Sequence, residues 1–584
     1  MSTGLVTAES LLAIDVGSVT TRAILFDVVD GRYRYLGSGQ ASTTAYAPYQ
    51  DVSEGIRSAL DRLQAVTGRV LVGGDERLIM PAKDDGSGVD SLAATLSAGP
   101  PLRVVVMGLL EDVSLESARR LATTTYTRVV DIIGLNDRRK PEERIDAIVR
   151  LRPDLVLAAG GTERGASHSV LRLLESVGLA SYLLPEDQRP DVLFAGNQAL
   201  SGEVENVLGK LVHLHIAPNV RPSLEMEQLA ATQVHLWDIY RSVRSRKMGG
   251  VQELDSWAGG GVMPTAAAFG RIIRFLSKVY DSTKGVLGVD VGASATTVAG
   301  AFNGELVLGV YPQFGLGRGM GELLEHCSLE SIARWLHLEI PNSYLREYLF
   351  QKSLYPTSIP ATAEDLIIEQ AIARQAIQLA IRSTIGGFPA RAQRYGASAL
   401  PWFEPIVATG SVLTRAPTLG QTLLLMLDGI QPTGVTTAVV DQNHISSALG
   451  AAAVLNPVMA VQVLETSTFQ NLGTVVTAQG DSRYGTPVLR VRMVYEDGHE
   501  TGIEVKQGAI EVLPLSSGQS AKLHLTPLHR YDVGMGGPGR GGGLRVTGGA
   551  LGVVIDARGR PIQLPDDPGR RRELIGKWRW ALGG

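Results

Sequence analysis

Two copies of one pattern, about half a chain apart, constrain the fold more than any other feature of the sequence. Residues 11–35 (LLAIDVGSVTTRAILFDVVDGRYRY) run apolar up to Asp15, bend at Gly17-Ser18, resume at Thr20-Thr21 and reverse at Asp30-Gly31. Residues 286–306 (VLGVDVGASATTVAGAFNGEL) repeat the order with Asp290, Gly292, Ser294, Thr296, Thr297 and an Asn303-Gly304 turn. Apolar runs of strand length, broken by Asp-Gly and Asn-Gly dipeptides, predict two β-meanders. In each, glycine at the bend lets backbone come close to a ligand. Two such hairpins facing each other can hold one phosphate chain between them.

At 584 residues the chain is too long for a single core and predicts roughly three or four domains. The charge balance, 55 Lys+Arg against 59 Asp+Glu, gives no global field for nucleic acid, so no specific nucleic-acid partner is expected. A single cysteine, Cys327, excludes an intramolecular disulfide framework and a cysteine-rich metal site, which fits a reducing cytoplasm. Neither a leader-like N-terminus nor an apolar run near the roughly 20 residues that span a bilayer is visible.

Between the two meanders the texture is strand-helix alternation. RVVVMGL, VVDIIGL, DLVLAAGG, VLFAGN and LVHLHIAPNV alternate with helical spacing, which predicts a parallel sheet with helices on its faces. Ligands of open α/β sheets gather at strand C-termini, so the loop carrying Thr162, Glu163 and Arg164 is a candidate site; a capped helix start is the structural reading. FGLGRGMGELLEHC at 314–327 lacks the spacing and context of a dinucleotide fingerprint. EPIVATGSV at 404–412 is a strand running into a sharp turn, and SSALGAAAVL at 446–455 is a small-residue helix. Beyond Pro457 the period changes to alternating strands around Asp497-Gly498.

A nucleotide-hydrolysing site needs backbone N–H groups near phosphate oxygens, hydroxyls to join them, and carboxylates that hold hydrated Mg²⁺. Gly17 and Gly292 supply the approach, and Ser18, Thr20, Thr21, Ser294, Thr296 and Thr297 the hydroxyls. Asp15 and Asp290 are the candidate metal-holding and catalytic carboxylates. One such hairpin alone would read as a structural turn. The pair, followed by the turn segment ATGS at residues 408–411, is far more specific.

This order of motifs resembles the superfamily of sugar kinases, actin and heat-shock chaperones, whose two phosphate hairpins and adenosine loop surround an interdomain cleft. The resemblance implies an actin-like two-lobed ATPase core of α/β class. It makes residues 15–21 the first phosphate motif and 290–297 the second, and sets Thr409, Gly410 and Ser411 near the adenosine. Thr409 stands where the family has the first of two glycines, and Ala293 and Ala295 stand where the first hairpin has Ser18 and Thr20.

The segments RVVVMGLLEDVSLESARRLA, DLVLAAGGTERGASHSVL, VLFAGNQAL, GVMPTAAA and VDVGASATT resemble, more closely, the glutamate mutase accessory protein family, MutL or GlmL. That resemblance covers roughly residues 10–456 and implies ATP or ADP with Mg²⁺, ATP hydrolysis, and a partner that is an adenosylcobalamin-dependent carbon-skeleton mutase. Glu163 is assigned as a water-positioning residue, with a helix-cap role as its alternative. The expected division is 1–100 for the first lobe, 101–222 for an inserted α/β region, 223–284 for a helical connection, 285–457 for the second lobe with the adenosine loop, and 458–584 for a C-terminal β-rich domain with a terminal amphipathic helix.

Two other functions fit the superfamily: an actin-like scaffold whose nucleotide state controls self-association and polymerisation, and a small-molecule kinase, for which no substrate acid/base loop is visible. The terminal RRRELIGKWRWALGG can place Leu574, Ile575, Trp578 and Leu582 on one face beside basic residues; docking on the β-rich domain is preferred to peripheral membrane contact. His213 and His215 share a strand face but lack further ligands, so the pair reads as structural. Cys327 reads as a helix residue, and the Gly/Arg segment at 534–543 as a flexible loop.

Overall fold

The computed structural model describes residues 9–389, 392 and 400–584. Both meanders form as the sequence predicts. Strands β1 (Leu11–Val16), β2 (Thr20–Val29) and β3 (Arg32–Ser42) are antiparallel neighbours, and β4 (Ser91–Leu96) adds parallel to β1. The chain then leaves this sheet for a second one. There β5 (Leu102–Met107), β6 (Thr127–Ile133), β7 (Leu155–Ala158), β8 (Asp191–Phe194) and β9 (Leu214–Ile216) pair in the order β6-β5-β7-β8-β9, all parallel. Continuous Val/Leu/Ile runs suit strands covered by helices on both faces.

After the helix Ala230–Lys247 the chain returns to the first lobe as β10 (Met263–Pro264), parallel to β4, completing the order β10-β4-β1-β2-β3. The second lobe repeats this plan. Strands β11 (Gly285–Val291), β12 (Thr296–Phe302) and β13 (Glu305–Tyr311) form its meander, with β14 (Phe403–Thr409) and β15 (Gly434–Val440) added parallel beside β11. The duplication extends to register: Asp15 pairs with Arg22 as Asp290 pairs with Thr297. Asp30-Gly31 (φ 52° and 75°) and Asn303-Gly304 (φ 48° and 84°) close the second reversal of each meander with left-handed residues, as two-residue hairpins require.

The lobes meet where the helix Thr265–Val279 crosses the helix Ser446–Ala452. A β-carbon at Gly450 would fall 1.9 Å from the Ala268 carbonyl oxygen, so the approach depends on glycine there. Beyond this crossing the chain divides between two sheets. Strand β16 (Gln470–Thr477) lies antiparallel to β15 and continues the second lobe's sheet, which β22 (Val553–Asp556) and β19 (Ile510–Leu513) extend. Strands β17 (Pro487–Tyr495), β18 (Glu500–Lys506), β20 (Ser520–Pro527) and β21 (Gly542–Thr547) form a separate antiparallel sheet, β18-β17-β20-β21.

The terminal helix Pro568–Ala581 packs partly on the β-rich region, as the sequence suggested, against β19, and partly on the second lobe's helix Leu419–Ile430 rather than on the small sheet. Leu574, Ile575, Trp578 and Leu582 join the second lobe's core, and the Trp578 Nε1–H donates to the Gly508 carbonyl at 2.7 Å. The helix Leu419–Ile430 is apolar around most of its girth and so has a face free to take the terminal helix. The apolar face that a membrane surface would take is thereby buried. Among the described residues no helix is long and apolar enough to cross a membrane.

Candidate functional site

A cleft of about 770 Å³ lies between the lobes, and both glycine bends open onto it. Each bend is closed by the same hydrogen bond, Gly17 N–H to Thr20 O and Gly292 N–H to Ala295 O, both 3.0 Å. A β-carbon at Gly17 would meet the Thr20 oxygen at 2.7 Å, so the turn itself excludes a side chain. The second bend is backed by the loop after β13: Leu316 N–H donates to Gly292 O at 3.0 Å, and a β-carbon at Gly317 would lie 2.6 Å from Ala293 O.

Asp15, at the end of β1, is buried and aimed by its neighbours. Its Oδ1 accepts the hydroxyls of Thr95 at 2.7 Å and Thr265 at 3.0 Å. Arg22, placed opposite by the β1–β2 register, sits 3.6 Å from Oδ2. Asp290 also lines the cleft. Burial, and then the negative charge of Asp15, push its carboxyl up to about 7, while Arg22 acts in the other direction. A cation shared by the two carboxylates would remove that repulsion.

The structure separates the predicted hydroxyls that reach the cleft from those that do not. Ser18, Thr20 and Ser294 do, as do Thr409, Gly410 and Ser411 of the third turn. Thr21, Thr296 and Thr297 do not: they are buried in the sheets, Thr21 bonded to Thr43 at 3.2 Å and Thr296 to the Phe314 carbonyl at 2.7 Å. Thr409 lines the cleft, yet its hydroxyl lies 3.3 Å from His444 Nδ1. Glu163 is elsewhere. It sits beyond β7 in the inserted sheet, where its carboxylate accepts from Asn219 Nδ2 at 2.8 Å, so it does not join the cleft residues. The strand-to-helix loop that carries it follows β7, the central strand of its own sheet.

Arg22, Tyr126, Asp441 and His444 are among the cleft residues that carried no readable motif. Asp441, fully buried at the end of β15, accepts Ser446 N–H at 2.7 Å and Ile445 N–H at 3.0 Å, and burial raises its carboxyl. A strand ending in Asp before a small-residue helix was the available signal. Burial holds the His444 imidazole well below its ordinary range, with Arg22 and Arg415 acting the same way, so it is neutral between Thr409 and Thr414.

Polar atoms without partners show what the cleft is built to receive. Ser18 Oγ and Arg22 Nε are buried and meet no hydrogen-bond partner among the described residues. A hydroxyl and a guanidinium beside two glycine bends are donors suited to phosphate oxygens. Among the described residues no group of three or more His, Cys, Asp or Glu could hold a metal. Asp15 and Asp290 both line the cleft, so a hard cation placed between them would need water and phosphate oxygens to complete its coordination, as Mg²⁺ allows. The His213–His215 pair belongs to no such group; burial lowers the His215 imidazole.

The profile of the family described as MutL protein matches residues 11–468. Protein MutL of Clostridium tetanomorphum is 23% identical over 410 residues, covering 65% of this chain and 85% of that protein. Among solved structures, nucleotide-free acetone carboxylase is similar at 14% identity and a TM-score of 0.33, over 86% of this chain and 81% of the other. Diol dehydratase-reactivating factor in its nucleotide-free form is similar at 11% identity and a TM-score of 0.30, over 76% of this chain and 99% of the other. The family match runs from β1 through the last helix before β16 and takes in both hairpins and the inserted sheet. The chain belongs to the MutL protein family.

Proposed function

We propose that this chain binds ATP and ADP with Mg²⁺ in the interlobe cleft, hydrolyses ATP, and acts as an accessory or reactivating factor for an adenosylcobalamin-dependent carbon-skeleton mutase. The observation that carries the reading is the facing pair of glycine bends, with the unpartnered Ser18 hydroxyl and the Arg22 guanidinium beside them. Membership of the MutL family supports the partner.

In this reading the two bends and Ser18 bind the phosphate chain, and Arg22 neutralises it while staying charged, as guanidinium does even when burial lowers its pKa. Asp15 and Asp290 hold Mg²⁺, which supplies charge neutralisation at the phosphates when bound. Thr95 and Thr265 fix the Asp15 carboxylate, and the helix Thr265–Val279 links that carboxylate to the crossing between the lobes. Exchange of ATP for ADP changes what the two lobes share, and a partner that binds one closure better reads that change.

Calorimetric titration with Mg-ATP and Mg-ADP tests the first half. Asp15→Asn, which keeps the shape and both threonine contacts, is expected to abolish Mg-dependent turnover; undiminished hydrolysis would sink the assignment. Retention of a cobalamin-dependent mutase on the immobilised chain tests the second half. Coupling of about 1–3 kcal/mol predicts a roughly 5- to 150-fold difference in mutase affinity between ATP and ADP states. Equal retention in both, with filaments that pellet in ATP, would favour the scaffold instead.

A further inference from the structure

The nucleotide cleft is not made by the two lobes alone. Tyr126, which precedes β6 of the inserted sheet, is 3% exposed and lines the cleft together with Asp15 and Asp290. Its ring packs on Tyr240 with centroids 5.9 Å apart, and its hydroxyl oxygen accepts Ala266 N–H at 3.1 Å, at the start of the interlobe helix. One lone pair is therefore occupied. The phenolic hydrogen has no acceptor among the described residues and is free to donate into the cleft.

The residues around Tyr126 tie the same short segment to the second lobe. Thr123 O accepts Val310 N–H of β13 at 2.7 Å, and the Arg128 guanidinium meets the Glu322 carboxylate at 2.8 Å. Glu322 lies in the turn Arg318–Glu325, which follows Leu316, and Leu316 is bonded to the second phosphate bend. Within residues 123–128, then, one contact enters the cleft, one reaches the helix crossing and two reach the second lobe. The segment runs into β6, to which Thr127 and Arg128 belong and which is the edge strand of the inserted sheet. A displacement of the insert would move this segment directly.

We propose that residues 123–128 place ATP turnover in the cleft under control of the inserted sheet, with Tyr126 as the positioning residue whose hydroxyl completes the polar wall at the phosphates. A partner that grips the insert then changes turnover without touching the nucleotide. The proposal rests on the nucleotide reading of the cleft. It goes beyond that reading in assigning the insert a control function.

Two sets of full-length variants test it, with nucleotide affinity and turnover measured separately. Tyr126→Phe keeps the ring on Tyr240; it is expected to leave the ADP dissociation constant within about twofold and to lower kcat at least about tenfold. Arg128→Glu and Glu322→Arg each oppose like charges across the joint and are expected to lower kcat with KM unchanged, and the double exchange to restore it. Turnover at the unmodified level in Tyr126→Phe, or in both single charge variants, would overturn the proposal while leaving the nucleotide site standing. An unmodified chain that bound no nucleotide would overturn the reading of the cleft and this inference with it.

Discussion

Arg22 stands across the β1–β2 ladder from Asp15 in the register where Thr297 stands across from Asp290, so the two halves of the cleft differ in charge at this position. The guanidinium is buried and faces Asp15, Asp290 and Asp441, and its Nε lacks a partner. If phosphate is the missing acceptor, Arg22→Ala removes a charge-assisted hydrogen bond worth about 1.5–3 kcal/mol, a loss of roughly 10- to 100-fold in ATP affinity. Titration of both proteins with Mg-ATP measures it, and an unchanged affinity would place the phosphates elsewhere. At this scale the sequence was readable where a repeat existed. Asp15, Gly17, Asp290 and Gly292 stood out because they recur, and the strand period separates Thr20, in the cleft, from Thr21, behind the sheet. Arg22 was hidden because its counterpart in the repeat is Thr297, a residue of different chemistry.

Secondary elements were legible where local chemistry alone decides them: the meanders through their Asp-Gly and Asn-Gly turns, the inserted sheet through its apolar runs. What a helix packs against is a tertiary matter. The apolar face of the helix Pro568–Ala581 was visible in sequence, but its seat on the second lobe was not. That seat has a titratable contact. Arg579 Nη1 meets His337 Nε2 at 2.6 Å, and burial, then the charges of Arg579 and Arg374, hold the His337 imidazole down at about 4. With the folded value below the unfolded value of roughly 6.5, the unfolded chain takes up the proton first as pH falls. The stability that His337 contributes is therefore complete above about pH 6.5 and is lost as pH falls towards about 4. The advantage of the unmodified chain over His337→Gln in urea unfolding should shrink across this window; a constant difference would contradict the neutral, accepting imidazole.

The family match ends at residue 468, yet the second lobe's sheet does not end there. Strands β16, β22 and β19 belong to it, and β19 lies in sequence between β18 and β20 of the small sheet, so neither sheet of the tail is a contiguous unit. A chain cut before β16 would expose the edge of β15 and is expected to be recovered only as aggregate. Charge makes the same connection. Asp428, in the helix Leu419–Ile430, meets Arg374 at 2.7 Å and Arg558 at 2.5 Å, and Asp556 at the end of β22 meets Arg558 at 2.9 Å and Arg560 at 2.8 Å, all buried. Burial alone would raise the Asp556 carboxyl, but Arg558 and Arg560 hold it well below the usual carboxylate range. Arg374 lies on the helix Ala363–Ile385, whose first turns wall the cleft through Ala363, Leu366 and Glu369. The tail is thus fastened to the helix that borders the nucleotide. Asp428→Asn leaves Arg374 and Arg558 adjacent with no anion between them, and breaking one partner of a buried pair costs about 3–5 kcal/mol. Urea unfolding should show that loss as a lower midpoint with the slope unchanged, because the same surface is exposed on unfolding. A second transition in its place would mean that the tail unfolds apart from the lobe. A midpoint equal to that of the unmodified chain would mean that the arginines find solvent or other acceptors, and that the tail is not held to the cleft wall by this network.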